Sequence, residues 1–183
     1  MRAGIDKFIC GGCWNDCQVV NNIEFARDFI DREYEKLKIS FSKGMTVPDV
    51  IDFGREDSPL ILGGWYDFDE DCRAGCRWTK QEFSILLPEG CKAMEIFAMM
   101  PRASAKSDNR GSMDVLIHDE KIETVRLSES EWKRYAITFA RPVRELTPCK
   151  FKLAGYFCPK EESESQDNRR LGIAISQISF IRE

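Results

Sequence analysis

From Phe83 onward the apolar residues recur with a period of two. Phe83, Ile85 and Leu87 form the first set, and Met94, Ile96, Ala98 and Met100 the second. Met113, Val115 and Ile117 follow, then Tyr135, Ile137 and Phe139, then Phe151, Leu153, Gly155 and Phe157. A period of two puts alternate side chains on one face of a strand, so each set predicts a strand with one buried side. Leu171, Ile173 and Ile175 open a last strand whose apolar parity then shifts to Ile178 and Phe180. One extra residue near Ser176-Gln177, a β-bulge, would return that strand to the same face. Turn chemistry separates the runs: Pro88-Glu89-Gly90, Ser107-Asp108-Asn109-Arg110-Gly111, His118-Asp119-Glu120-Lys121, Arg141-Pro142 and a polar loop from Lys160 to Asn168. Short, regularly spaced strands without helices between them predict a mainly β domain, an antiparallel β-sandwich of the jelly-roll kind.

Earlier in the chain the period is helical. Ile23, Ala26, Phe29, Ile30, Tyr34 and Leu37 make an apolar stripe. Asn21 with Glu24 three residues on reads as a capping box, and Asp28 and Arg32 pair at i,i+4. One N-terminal helix is therefore expected from about Asn22 to Lys38. The organisation expected is a Cys-rich leader over 1–20, a helix and linker over 21–43, and the β-sandwich over 44–183.

The chain has 183 residues, 43% apolar and 32% charged, with 27 basic against 31 acidic residues for a net charge of −4. No basic block is present, which argues against a nucleic-acid partner. No apolar run reaches membrane-spanning length and the first residues lack the apolar stretch of a signal peptide, so no membrane association and a cytoplasmic location are expected.

The densest chemistry lies in Gly63-Gly64-Trp65-Tyr66-Asp67-Phe68-Asp69-Glu70 and the following Arg77-Trp78-Thr79. Aromatic rings offer flat apolar faces, and carboxylates and guanidinium offer directional hydrogen bonds. That combination suits a polyhydroxylated ligand such as a sugar. It equally suits a sandwich corner in which Trp fills the core and an Arg pairs with Glu70. Near the other end stand Asp167-Asn168-Arg169-Arg170, and strand alternation lets only one of the two arginines face a given site.

Taken in order, Ile51-Asp52-Phe53-Gly54, Gly64-Trp65 with Glu70, Arg77-Trp78-Thr79, Trp132 and Asp167-Asn168-Arg169-Arg170-Leu171-Gly172-Ile173 resemble a known pattern. The resemblance is to non-catalytic, carbohydrate-binding-like β-sandwich domains associated with bacterial glycosyltransferases and polysaccharide biosynthesis proteins, and it spans about residues 48–183. It implies a saccharide or glycan ligand, held by Trp65, Glu70, Arg77, Trp78, Arg169 and Arg170, and a glycosyltransferase or related enzyme as partner. Cys72 and Cys76 depart from the pattern, and the chain carries no glycosyltransferase domain.

Eight cysteines need an explanation. Cys10, Cys13 and Cys17, with glycines between them, could hold zinc or part of an iron–sulfur cluster, and this segment is similar to cluster-ligand runs of redox enzymes. A closed zinc site would need a fourth ligand from His118, Cys72 or Cys76; free terminal thiols are the alternative. Cys72 and Cys76 are expected as free thiols, with a local disulfide or shared metal as the alternative, while Cys91, Cys149 and Cys158 behave as small hydrophobes.

His118 sits at a hairpin tip, where a solvated turn residue is expected, and no serine has a partner histidine for triad chemistry. Asp67, Asp69, Glu70 and Asp71 could supply a carboxylate pair, but a solvated acidic stretch is expected, and with it no enzymatic activity. Trp132 is expected to pack on a sandwich edge. Three readings remain: a sugar-binding accessory module, a structural or docking domain, and a metal- or cluster-bearing fragment of a redox enzyme.

Overall fold

A computed structural model describes residues 47–54, 58–69, 72, 75–101, 111–128 and 130–183. The leader with Cys10, Cys13 and Cys17, the helix expected over Asn22–Lys38, and Glu70 and Asp71 lie outside the described residues.

Nine strands are present among the described residues: β1 (Val50–Asp52), β2 (Ile61–Asp69), β3 (Cys76–Leu87), β4 (Cys91–Met99), β5 (Ser112–Ile117), β6 (Glu120–Arg126), β7 (Trp132–Thr138), β8 (Thr147–Leu153) and β9 (Ala174–Arg182). A four-residue helix, α1 (Pro159–Glu162), sits in the polar loop before β9, with Pro159 opening its first turn. None of the described helices is long and apolar enough to cross a membrane.

Every strand pairing is antiparallel, in the order β6-β5-β8-β3-β9-β4-β7, with β2 on β3 and β1 on β9. The long strand β3 organises this path. Its second half, Glu82 to Leu87, pairs with β8, while Arg77 and Trp78 pair with Ile175 and Ala174 of β9. Two layers therefore diverge from β3, one continuing through β8, β5 and β6 and the other through β9, β4 and β7. Phe83, Ile85, Phe151, Val115 and Met113 from the first layer, and Met94, Ile96, Ile137 and Ile178 from the second, are almost fully buried. The result is a mainly β, antiparallel sandwich around one core. Burying a side chain of that size contributes roughly 1.5–3 kcal/mol.

The period-two runs map onto β3, β4, β5, β7 and β8. The bulge expected near Ser176-Gln177 is there: Phe97 pairs with Gln177 and its neighbour Ala98 with Ile175, leaving Ser176 without an opposite residue on β4. His118 and Asp119, with φ of 52° and 62°, form the two-residue tip of the β5–β6 hairpin, both exposed. Trp132 opens β7 and packs on Phe97 with ring centroids 5.3 Å apart.

Several boundaries differ. The segment from Trp65 to Asp69, which shows no period of two in the sequence, belongs to strand β2, whose register with β3 shifts three times. The expected strand through Phe157 stops at Leu153, and β9 starts at Ala174; Phe157 and Leu171 instead form an isolated bridge. The free-thiol expectation for Cys72 and Cys76 is also corrected. The turn beyond Asp69 brings their Cα atoms to 5.8 Å, and they form a disulfide.

Candidate functional site

Strand alternation divides the aromatic doublet of β2 between the inside and the outside. Trp65 points inward. Its ring stacks on Phe53 at 4.7 Å and meets the edge of Phe83 at 5.0 Å, and Phe83 stacks in turn on Phe151 at 4.6 Å. The indole N–H of Trp65 donates to the Ser84 carbonyl at 3.1 Å. Gly64 makes this possible: its φ is 82°, and a Cβ there would collide with the Glu82 carbonyl and with Phe83. Trp65, one of the six residues expected to touch ligand, is thus half-buried in an aromatic ladder.

Tyr66 takes the outer side. Its hydroxyl donates to the Arg170 carbonyl at 3.1 Å. The Arg169 guanidinium lies 5.4 Å and the Lys80 ammonium 5.7 Å from the centre of its ring, within the reach of cation–π attraction. Partial burial raises the Tyr66 pKa above its ordinary value, with the Arg169 charge opposing that shift. The ring is therefore a neutral phenol at physiological pH.

Arg169 is held in place by Asp167. The guanidinium Nε donates to both carboxylate oxygens at 3.0 Å and Nη2 donates to Oδ2 at 2.7 Å, while the Arg169 backbone N–H also reaches Oδ1 at 2.9 Å. These hydrogen bonds pull the Asp167 pKa below its ordinary value and raise that of Arg169. The Asp69 charge acts on Arg169 in the same upward direction. Arg170 turns the other way, with its guanidinium 4.9 Å from the centre of the Tyr156 ring.

Trp78, on β3, donates its indole N–H to Asp69 Oδ2 at 2.8 Å. Its neighbour Thr79 is fully buried and ties the corner together. The Thr79 carbonyl accepts the Gly172 N–H at 2.6 Å, its N–H donates to the Ile173 carbonyl at 2.9 Å, and its hydroxyl accepts the Ile173 N–H at 3.0 Å. A Cβ on Gly172 would strike the Thr79 hydroxyl, Leu153 and the Lys80 carbonyl, so only glycine lets this segment lie so close. Arg77 pairs with Phe68 across the hairpin and is half-buried.

The outcome for the six residues is mixed. Trp78 and Arg169 come together at one corner through Asp69, Arg170 contributes its carbonyl there while its guanidinium lies over Tyr156, Arg77 is next to Trp78 on β3, Trp65 lies beneath, and Glu70 lies outside the described residues. Tyr66 and Asp69, within the stretch of densest chemistry but outside the six, stand at this surface with Lys80, while Tyr156, under Arg170, and Lys80 carried no expectation in the sequence. Alternation carried a signal for Tyr66, because two consecutive aromatics on one strand must face opposite ways. Among the described residues no cluster of three or more His, Cys, Asp or Glu is placed to hold a metal.

No protein-family model matches the chain, and no curated protein matches it. Among solved structures it is similar to a family 35 carbohydrate-binding module from an environmental isolate, with 11% identity over 72% of this chain and 91% of that one and a TM-score of 0.40. It is also similar to carbohydrate-binding module CBM36 in complex with calcium and xylotriose, with 10% identity over 72% of this chain and 98% of that one and a TM-score of 0.39. A third is a Podospora anserina GH26-CBM35 β-(1,4)-mannanase, with 9% identity, 73% of this chain and 27% of that one covered, and a TM-score of 0.38.

Proposed function

We propose that this domain is a non-catalytic saccharide-binding module whose ligand meets the corner made by Tyr66, Asp69, Trp78 and Arg169. The observation that carries this reading is convergence. The β2–β3 hairpin and the segment at Arg169, far apart in the chain, deliver two aromatic rings and a surrounding set of charged hydrogen-bonding groups to one surface. The hydroxyl of Tyr66 and the indole N–H of Trp78 are already engaged by the protein, so the rings are fixed in orientation. A fixed ring stacks on the C–H face of a pyranose with little loss of side-chain entropy, while charged groups at its margin hydrogen-bond the hydroxyls. Each hydrogen bond to a charged group contributes about 1.5–3 kcal/mol before desolvation is subtracted. Weak affinity, about millimolar to micromolar, follows.

In this reading the module is an accessory to an enzyme of glycan metabolism. The glycosyltransferase partner and the setting in surface polysaccharide biosynthesis rest on the sequence resemblance alone. The cytoplasmic location expected from the sequence and the Cys72–Cys76 disulfide pull in opposite directions, because disulfides persist mainly in oxidising compartments.

A glycan array probed with the purified protein tests the proposal, followed by calorimetry on the best hit. Tyr66→Ala and Trp78→Phe should each weaken that binding at least tenfold while the far-ultraviolet circular dichroism stays that of the parent. An array without hits, or variants that bind as the parent does, would remove the saccharide reading.

A further inference from the structure

The β2–β3 hairpin ends in a covalent clip beside the candidate site. Asp69 and Cys76 are opposite one another in the last pair of the ladder. Beyond them the Cys72 N–H donates to the Asp69 carbonyl at 3.2 Å, the Gly75 N–H donates to the Cys72 carbonyl at 2.8 Å, and Cys72 is disulfide-bonded to Cys76. Asp69 is therefore held from both sides: by the ladder at Cys76, and by the turn at Cys72. Its carboxylate takes the Trp78 indole N–H and acts electrostatically on Arg169.

We propose that the Cys72–Cys76 disulfide is a redox-sensitive clip that sets the position of Asp69 and Trp78, so that reduction loosens the site while leaving the sandwich folded. This rests on the saccharide reading for its consequence in binding, but not for its effect on the hairpin.

Two features separate a local switch from a structural staple. The ring it closes is very short, and loop-closure stabilisation grows with the length of the loop, so this bond adds little to global stability. The core, in contrast, is built from both layers of the sandwich, and among the described residues of the clip only Cys76 reaches it. The second feature is access. Cys76 is fully buried but Cys72 is half-buried, whereas Cys91, Cys149 and Cys158 are all buried and free. A dithiol reductant reaches Cys72 Sγ first. Its thiolate bonds to that sulfur, the S–S bond breaks, and Cys76 leaves as a thiolate and takes a proton. The second thiol of the reductant then closes its own disulfide and releases Cys72, which is protonated in turn. Two electrons and two protons pass to the protein, and the reductant is oxidised to its disulfide.

The test uses the full chain in oxidised form, after dithiothreitol, and as Cys72→Ser without reductant. Alkylation and peptide mass mapping record the state of Cys72 and Cys76. Two readouts are followed: the indole N–H exchange of Trp78 by NMR, assigned with Trp78→Phe, and retention of xylotriose, mannotriose and digalacturonate. Expected are at least tenfold faster Trp78 exchange and at least tenfold weaker retention in both the reduced protein and Cys72→Ser, reversed in the first by reoxidation. Unchanged Trp78 exchange in both overturns the proposal, as does finding Cys72 and Cys76 as free thiols in the oxidised protein. Global unfolding on reduction, seen as loss of the β-sheet circular dichroism, overturns it too. If no redox form retains any of the three saccharides, the saccharide reading loses its support, and Trp78 exchange alone still decides the clip.

Discussion

Replacing Trp65 by alanine separates the inner half of this corner from the outer half. The indole stacks on Phe53, meets Phe83 edge-on and donates a hydrogen bond to the Ser84 carbonyl. Truncating a fully buried Trp costs about 3–5 kcal/mol. Trp65 is half-buried, which lowers the transfer part. Loss of two aromatic pairs, each about 0.5–1.5 kcal/mol, works in the opposite direction. The expected loss is about 3 kcal/mol, the low end of the range for truncating a buried Trp. For a domain of this size about 1 kcal/mol moves the midpoint by about 2–4 °C, so the melting temperature should fall by about 6–12 °C.

Thermal unfolding followed by circular dichroism measures this directly, with Tyr66→Ala as the counterpart. Tyr66 makes one hydrogen bond to a carbonyl and its ring lies beside the charged ends of Lys80 and Arg169, so its removal should cost about 1 kcal/mol. The order of the two variants is the decisive result. A Trp65→Ala protein that melts within about 1 °C of the parent, or above Tyr66→Ala, would refute the assignment of Trp65 to the aromatic ladder and with it the inside–outside division of the doublet.

Two further expectations follow from the same corner. Thr79→Val keeps the side-chain shape but removes the acceptor of the Ile173 N–H, leaving a buried donor unpaired; urea denaturation should show a loss of about 1–3 kcal/mol, and an unchanged midpoint would contradict it. Asp167 has its pKa depressed by Arg169, so the order that this fork lends to the corner is present above the ordinary aspartate value of 3.8 and disappears as pH falls through the lower value in the folded protein; the Arg169 Nε–H resonance should lose its hydrogen-bonded shift only below pH 3.8, and loss well above it would contradict the pairing.

The strands that were legible are those whose inward residues are all apolar. In β4 the fully buried positions Met94, Ile96 and Ala98 alternate with the half-buried Glu95 and Phe97, and the inward set keeps an unbroken period of two. Even the bulge in β9 could be read, because an extra residue shifts the parity of everything after it. β2 escaped because Gly63 and Gly64 present no side chain and its register shifts three times, so no period survives. The first turns of β3 escaped for another reason. Thr79 occupies the inward position two steps before Gln81 and four before Phe83, and a threonine that is buried to make hydrogen bonds looks, in a pattern of apolar and polar residues, like a surface position. The Cys72–Cys76 bond was open in the sequence as an alternative and depended on a turn whose geometry the spacing alone does not fix.

The site itself was half legible, and the reason lies in pairs of adjacent residues. Trp65-Tyr66 and Arg169-Arg170 both look in sequence like doubled chemistry, two rings or two cations aimed at one ligand. On β2 the strand cannot do that, since neighbours face opposite ways, and Arg169-Arg170, in the irregular segment before β9, diverges as well. In each doublet one member serves the corner and the other goes elsewhere: Trp65 into the ladder and Tyr66 outward, Arg169 over Tyr66 and Arg170 over Tyr156. The same rule applies to Trp78-Thr79, where the indole meets Asp69 on the surface and the threonine is buried against Ile173. Trp65-Tyr66 and Trp78-Thr79 therefore each couple an outward group to an anchor one residue away. The anchor between Thr79 and Ile173 joins positions 94 residues apart, and that is how the β2–β3 hairpin and a distant segment hold one small surface in register.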